Sequence, residues 1–187
     1  MGKSSTGKDT IFRLLRKKHP EWQMITLYTT RPIRKGETQG NEYHFVTDSY
    51  VRELEQAGKI IEQRSYDTIH GIWKYVTADD GLVDLSKHTY LTIGTLESYL
   101  ALRSHYGTEA LLPIYIEVED GIRLERALKR EQKQEQPKYE EMCRRFLADS
   151  IDFSEERLCE AEIHTRFVND QLEACLKEIN QYIYSQV

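Results

Sequence analysis

Short apolar runs alternate along the chain with charged stretches whose apolar positions recur at helical spacing. Ile11, Phe12, Leu14 and Leu15 fall on one side of a helix predicted over about 10–18, ended by His19 and Pro20. Residues 24–30 read as a strand, and 31–41, with Pro32, Gly36 and Gly40 among charges, as a loop. A short strand is expected at 43–47. Asp48 is the expected N-cap of the next helix, which Gly58 closes. Residues 59–66 and 72–77 read as a hairpin-like pair of strands around His70 and Gly71. A short helix is expected near 79–85.

The second half has a steadier rhythm. Strands are predicted at 88–93, 111–118 and 163–168, and helices at 96–105, 121–132, 137–161 and 171–185. Helices alternating with short apolar strands argue for a parallel α/β sheet, which the hairpin segment between about 31 and 77 interrupts as a small insertion.

Composition narrows this picture. The chain has 187 residues, with 26 Lys and Arg against 31 Asp and Glu, a formal net charge of −5. That balance gives no overall electrostatic reason to bind nucleic acid, so phosphate chemistry must come from a local basic site. With 39% hydrophobic and 30% charged residues the chain is not collagen-like or disordered, and its longest apolar run, 111–116, suits one buried strand rather than a membrane span. The length fits one domain. Cys143, Cys159 and Cys175 are too dispersed for a disulfide framework or a zinc site and read as reduced thiols. Polar residues directly follow Met1, so no signal peptide is expected and the location expected is cytoplasmic.

The candidate chemistry starts at the first residues. Gly2-Lys3-Ser4-Ser5-Thr6-Gly7-Lys8 has the form G-x-x-x-x-G-K directly before a helix. Such a loop turns backbone N–H groups inward around phosphate oxygens. Its lysine reaches the terminal phosphates, and the helix adds its positive end. The alternative reading is a polar N-terminal turn. The ATP-site candidates are Gly2, Ser4, Ser5, Thr6, Gly7 and Lys8, followed by Asp9 and Thr10 as Mg²⁺ ligands, a carboxylate standing where a hydroxyl is usual. Only Met1 precedes Gly2, so the strand that carries such a loop is missing. The favoured explanation is a gene start placed at an internal Met.

The segment Thr29-Thr30-Arg31-Pro32-Ile33-Arg34-Lys35-Gly36-Glu37-Thr38-Gln39-Gly40-Asn41-Glu42-Tyr43-His44-Phe45-Val46 resembles the guanylate kinase signature T-T-R-x-x-R-x-G-E-x-x-G-x-x-Y-x-F-V. Two arginines three apart in a glycine-punctuated loop suit one phosphate, because guanidinium groups bind it bidentately. The resemblance runs over nearly the whole chain. It implies a P-loop NTPase fold: a core at 1–30 and 78–187, an acceptor-binding subdomain at 31–77 and a helical lid at about 126–150. It implies that Arg31, Arg34 and Tyr43 hold the acceptor's phosphate and that Glu62 accepts from guanine N1 and N2. It further places Arg126, Arg130 and Arg145 in the lid, with Arg144 a close competitor of Arg145, and Asn169 at the adenine. Lys8, Arg31, Arg130 and Arg145 are then the catalytic charges, with Mg²⁺ accompanying ATP.

The departures cluster on the acceptor side. A family serine that reads the guanine carbonyl falls near Leu27. The family's Tyr-Gly-Ser/Thr falls near Trp73-Lys74-Tyr75-Val76, with tyrosine and hydroxyl not cleanly kept, and its acidic pair falls at about Thr92 and Gly94. The expected activity is ATP-dependent phosphorylation of a nucleoside monophosphate, with GMP favoured by Glu62. Two alternatives stay open: a kinase of the same fold with another acceptor, such as ribose 1,5-bisphosphate, and a non-catalytic binding module. Expected partners are small nucleotides, with neither nucleic acid nor membrane, for a monomer or homodimer.

Overall fold

The computed structural model describes residues 1–34, 36–68 and 71–186. In chain order the elements are α1 (Lys8–Lys18), β1 (Gln23–Met24), β2 (Tyr28–Thr29), β3 (His44–Phe45), α2 (Asp48–Gln56), β4 (Ile60–Thr68), β5 (Gly71–Ala78), β6 (Tyr90–Leu91), α3 (Leu96–Tyr106), a 3₁₀ turn (Thr108–Ala110), β7 (Tyr115–Glu117), α4 (Asp120–Glu131), α5 (Tyr139–Asp152), α6 (Glu155–Glu160), β8 (Arg166–Val168) and α7 (Leu172–Gln186). They divide into two compact units, one of Met1–Lys18, Ile93–Leu100 and Leu112–Val187, the other of His19–Thr92 and Ala101–Leu111. The second unit is wider than the 31–77 insertion expected from the sequence.

The first unit is built on β7 and β8, which pair in parallel with Tyr115 opposite Arg166 and Glu117 opposite Val168. Met1 continues this pairing: its amino group donates to the Ile114 carbonyl at 2.7 Å and its carbonyl accepts from Ile116 N–H at 2.9 Å. Ile11 and Leu15 of α1, Ile116 and Phe167 of the strands, and Cys175, Ile179 and Ile183 of α7 are buried here. Cys143 and Cys159 are exposed.

The second unit carries a four-stranded sheet in the order β3-β2-β5-β4, parallel between β2 and β3 and otherwise antiparallel. Tyr28, Val51, Leu54, Val76 and Ala78 form its core, so α2 covers one face. In the same unit β1 pairs in parallel with β6. The long hairpin follows from alternation: Val76 and Ala78 point into the core, leaving Trp73, Tyr75 and Thr77 on the opposite face. A register shift between Ile60 and Glu62 sets Glu62 opposite Thr77 and Arg64 opposite Tyr75.

Several boundaries differ from the sequence reading for visible reasons. The cap of α2 is Thr47, whose side chain accepts from Tyr50 N–H, because the Asp48 carboxylate is drawn to Arg52 and Lys74. The expected helix near 79–85 is a series of turns, in which Asp79, Asp80 and Asp84 side chains accept from the N–H groups of Gly81, Leu82 and Ser86. The stretch 137–161 is broken at Phe153, and Ser154 caps α6 by accepting from Arg157 N–H. The expected strand 24–30 splits into β1 and β2, which join different partners. His70, expected in the hairpin turn, lies outside the described residues.

Candidate functional site

The candidate phosphate loop occupies the turn between Met1 and α1. Close approach explains its glycines. A Cβ on Gly2 would lie 2.5 Å from the Ile116 carbonyl oxygen, and one on Gly7, whose φ is +84°, 2.5 Å from Asn169 Nδ2. Ser5 takes the left-handed conformation at φ 64°, a strain that non-glycine residues rarely accept. Its hydroxyl oxygen is buried without a hydrogen-bond partner among the described residues. Thr6 is buried and donates through Oγ1 to the Lys3 carbonyl at 2.9 Å. Asn169 braces the loop from β8, its Nδ2 donating to the Thr6 carbonyl at 2.7 Å and its N–H to the Glu117 carbonyl.

Lys8 opens α1, and its Nζ lies 3.5 Å from the Lys3 carbonyl. Burial pushes its ammonium below the ordinary value; Asp9 and Asp149 push it back up, while Arg145 and Arg130 add to the lowering. Three of the charges singled out from the sequence, Asp9, Arg130 and Arg145, are therefore within electrostatic reach of Lys8. Arg126 is placed otherwise: its guanidinium donates to the Asn169 carbonyl at 3.1 Å, tying α4 to the end of β8. Arg144 forms a bidentate pair with Glu141, both bonds 2.7 Å, which leaves Arg145 as the better lid candidate.

Two residues that the sequence did not single out meet the loop. The Asp149 carboxylate, on α5, accepts from Ser4 N–H at 2.7 Å. Arg123, buried on α4, donates to the Ser4 carbonyl at 3.0 Å and to Asp149 at 3.4 Å, holds Asp120 through Nε and Nη2, and lies over the Phe146 ring. Beside the loop, Lys3, Thr6, Glu117, Val118, Asp120 and Asp170 are among the residues lining a cavity of about 380 Å³.

The acceptor candidates lie in the second unit. Arg31 is 3% exposed and forms a bidentate ion pair with Glu37, with both bonds 2.8 Å. Its guanidinium carbon lies 5.3 Å from the ring centres of both Tyr43 and Phe45, which pack edge-on against each other 6.0 Å apart. Glu37 also accepts from Arg34 N–H at 2.7 Å, and its carboxyl is held down to about 2, chiefly by the Arg31 hydrogen bonds. Arg31 thus anchors the loop, while the Arg34 side chain stands exposed at its rim. Lys35 lies outside the described residues. Burial raises the Tyr43 phenol above its ordinary value.

The hairpin face completes this group. Tyr75 packs edge-on against Tyr43 and Tyr66, with centroids 5.6 Å apart in each pair, and its phenol lies within electrostatic reach of Arg31. Thr77 donates to Glu62 Oε2 at 3.3 Å, and Arg64 Nε lies 2.6 Å from Glu62 Oε1. That last contact is an ion pair rather than an aligned hydrogen bond, since both atoms are buried without a hydrogen-bond partner among the described residues. Tyr75 and Thr77 thus place a tyrosine and a hydroxyl on the face of Glu62, next to the stretch where the sequence reading finds these groups not cleanly kept. Thr92 and Gly94 sit between β6 and α3, where a Cβ on Gly94 would press Ser98 Cβ at 3.0 Å.

A glycine-bounded loop leading into a helix, beside parallel strands with helical connections, defines a P-loop NTPase-type fold. The model of the guanylate kinase family matches residues 1–186, and the chain belongs to that family. It is 42% identical over 65 residues to a guanylate kinase of Frankia casuarinae, a match covering 35% of each chain. It is 37% identical over 76 residues to one of Tropheryma whipplei, covering 41% of this chain and 38% of that one. The chain thus matches little more than a third of the length of these curated relatives. The crystal structure of guanylate kinase from Anaplasma phagocytophilum superposes with a TM-score of 0.62 at 19% identity, covering 99% of this chain and 82% of that one. Among the described residues, no helix is long and apolar enough to cross a membrane.

Proposed function

We propose that this chain transfers the γ-phosphoryl group of ATP to the phosphate of a nucleoside monophosphate, converting GMP to GDP. The observation that carries this reading is that Arg130 and Arg145 lie within electrostatic reach of Lys8, at the end of a loop whose glycines suit inward-facing backbone N–H groups. The buried, unpartnered Ser5 hydroxyl supports it as an open donor at the same loop. Glu62 supports guanine: one carboxylate can accept from both N1–H and N2–H.

In this mechanism the loop amides and Lys8 hold the ATP phosphates. Arg130 and Arg145 neutralise charge on the transferring group, and Arg126 and Asn169 position the loop and its flank. Arg34, Tyr43 and Tyr75 hold the acceptor's phosphate, with Arg31 as the anchor behind them. An oxygen of that phosphate attacks the γ-phosphorus. A new P–O bond forms, the bond to the β,γ-bridging oxygen breaks, and ADP leaves with the electron pair. The acceptor oxygen is already largely deprotonated at neutral pH, so no side chain has to act as a strong base. Rate comes from positioning and charge stabilisation.

Asp9 and Thr10 follow Lys8 in the first turn of α1 and supply hard oxygen donors. Such donors would suit Mg²⁺, which takes few protein oxygens and fills its shell with water and phosphate. When bound, Mg²⁺ neutralises phosphate charge.

A second reading, a nucleotide-free binding module, is favoured by one observation: Asp149 already occupies the Ser4 N–H. ADP release with Mg-ATP against GMP, dGMP, AMP, UMP, CMP and ribose 1,5-bisphosphate separates the readings. Turnover with the guanine acceptors alone is expected. A folded protein that binds no ATP would establish the module, and turnover only with another acceptor would shift the substrate.

A further inference from the structure

Arg64 has no place in the chemistry described so far, yet it stands on the same hairpin face as Glu62. Residues two apart on a strand project side by side, with Cα atoms about 7 Å apart. Here the two heads converge until Nε and Oε1 are 2.6 Å apart. The Glu62 side chain is 9% exposed and that of Arg64 20% exposed, so the carboxylate lies deeper and the guanidinium nearer the open side. The buried Arg64 Nε and Glu62 Oε1 lack aligned partners among the described residues.

Guanine presents one edge with the O6 acceptor beside the N1–H and N2–H donors, and N7 as a second acceptor next to O6. A carboxylate satisfies only the donors. The acceptors O6 and N7 need a forked donor, and arginine is the side chain whose geometry matches that pair. Leu27 offers no side-chain donor. Adenine would place its N6 amino group where O6 stands, setting donor against donor.

We infer that Arg64 is a specificity-determining residue that donates to guanine O6 and N7 while the adjoining Glu62 accepts from N1 and N2. This rests on the proposal that GMP is the acceptor, and it assigns the half of the base that Glu62 leaves unread.

The test compares kcat/KM for GMP and for 6-thio-GMP, which keeps N1–H and N2–H but replaces O6 by sulfur, a weak acceptor. The wild-type enzyme is expected to favour GMP by about 10- to 100-fold, the discrimination of one good bidentate contact. Arg64→Met is expected to erase that ratio, and Arg64→Lys, which keeps a single donor, to restore part of it. An unchanged ratio in Arg64→Met would overturn the inference even if both substrates weakened together, because that is what mere neutralisation of Glu62 would produce. If Arg64→Met fails to fold, the wild-type ratio still decides: equal use of GMP and 6-thio-GMP overturns the role of Arg64 while leaving GMP as acceptor. No turnover with GMP in folded wild-type protein would instead remove the proposed function, and Arg64's role with it.

Discussion

The Asp149 carboxylate accepts a hydrogen bond from the Ser4 backbone N–H at 2.7 Å, so a side chain of α5 holds a loop donor suited to a phosphate oxygen. Asp149 also raises the pKa of Lys8, as a bound phosphate would. On the proposed function, it is an internal anion that the nucleotide phosphates would have to displace.

Asp149→Asn keeps the shape and removes the charge. It is expected to tighten ATP binding by about tenfold, corresponding to roughly 1.4 kcal/mol. Titration calorimetry with ATP checks this. Unchanged or weaker binding would mean that Asp149 does not compete with phosphate. Arg123 retains Asp120 in this variant, so the fold is expected to survive.

Arg31 and Arg34 are expected to separate cleanly. Arg31→Ala removes a buried guanidinium that packs against two rings and strands Glu37, which should cost about 2 kcal/mol of stability. Arg34→Ala touches an exposed side chain, so Tm should hold while the KM for GMP rises at least about tenfold. Thermal melts and steady-state kinetics of both variants check the division. A stable Arg31→Ala with only a raised KM would return Arg31 to direct phosphate binding.

The same pair gives a pH dependence. Glu37 titrates at about 2 in the folded protein against an ordinary 4.5. Its folded value is depressed, so its contribution is complete above the unfolded value and is lost as pH falls from about 4.5 towards 2. Tm measured from pH 6 to 2.5 should therefore fall more steeply in wild type than in Glu37→Gln. Parallel curves would contradict the assignment.

Lys8→Met is expected to lower kcat by orders of magnitude with Tm preserved, since the ammonium is buried beside the loop without a structural ion pair of its own among those described. Asp9→Ala should instead raise the Mg²⁺ concentration for half-maximal turnover by about tenfold. Rates measured across a Mg²⁺ titration distinguish the two. Near-normal turnover of Lys8→Met would displace the site from the loop.

Much of this was legible because the signals are local. Gly2 to Lys8 announces its turn by glycine spacing, and the loop from Arg31 to Tyr43 carries its charges in one continuous segment. The hairpin showed as alternation. What stayed hidden depends on contacts distant in sequence or on register. Asp149 reads as an ordinary helix charge until it meets Ser4, 145 residues away. Thr77 comes opposite Glu62 only through the register shift between Ile60 and Glu62. The segment 79–85 reads as a helix in sequence because aspartates that suit a helix start serve equally well in capping successive turns.

The most direct measurement follows the phosphoryl group itself. The protein is incubated with GMP, Mg²⁺ and ATP labelled at the γ-phosphate, and the products are separated by chromatography. Label in the β-phosphate of GDP is the predicted result. Label that stays in ATP, or passes only to inorganic phosphate, would contradict the central claim that this chain phosphorylates GMP.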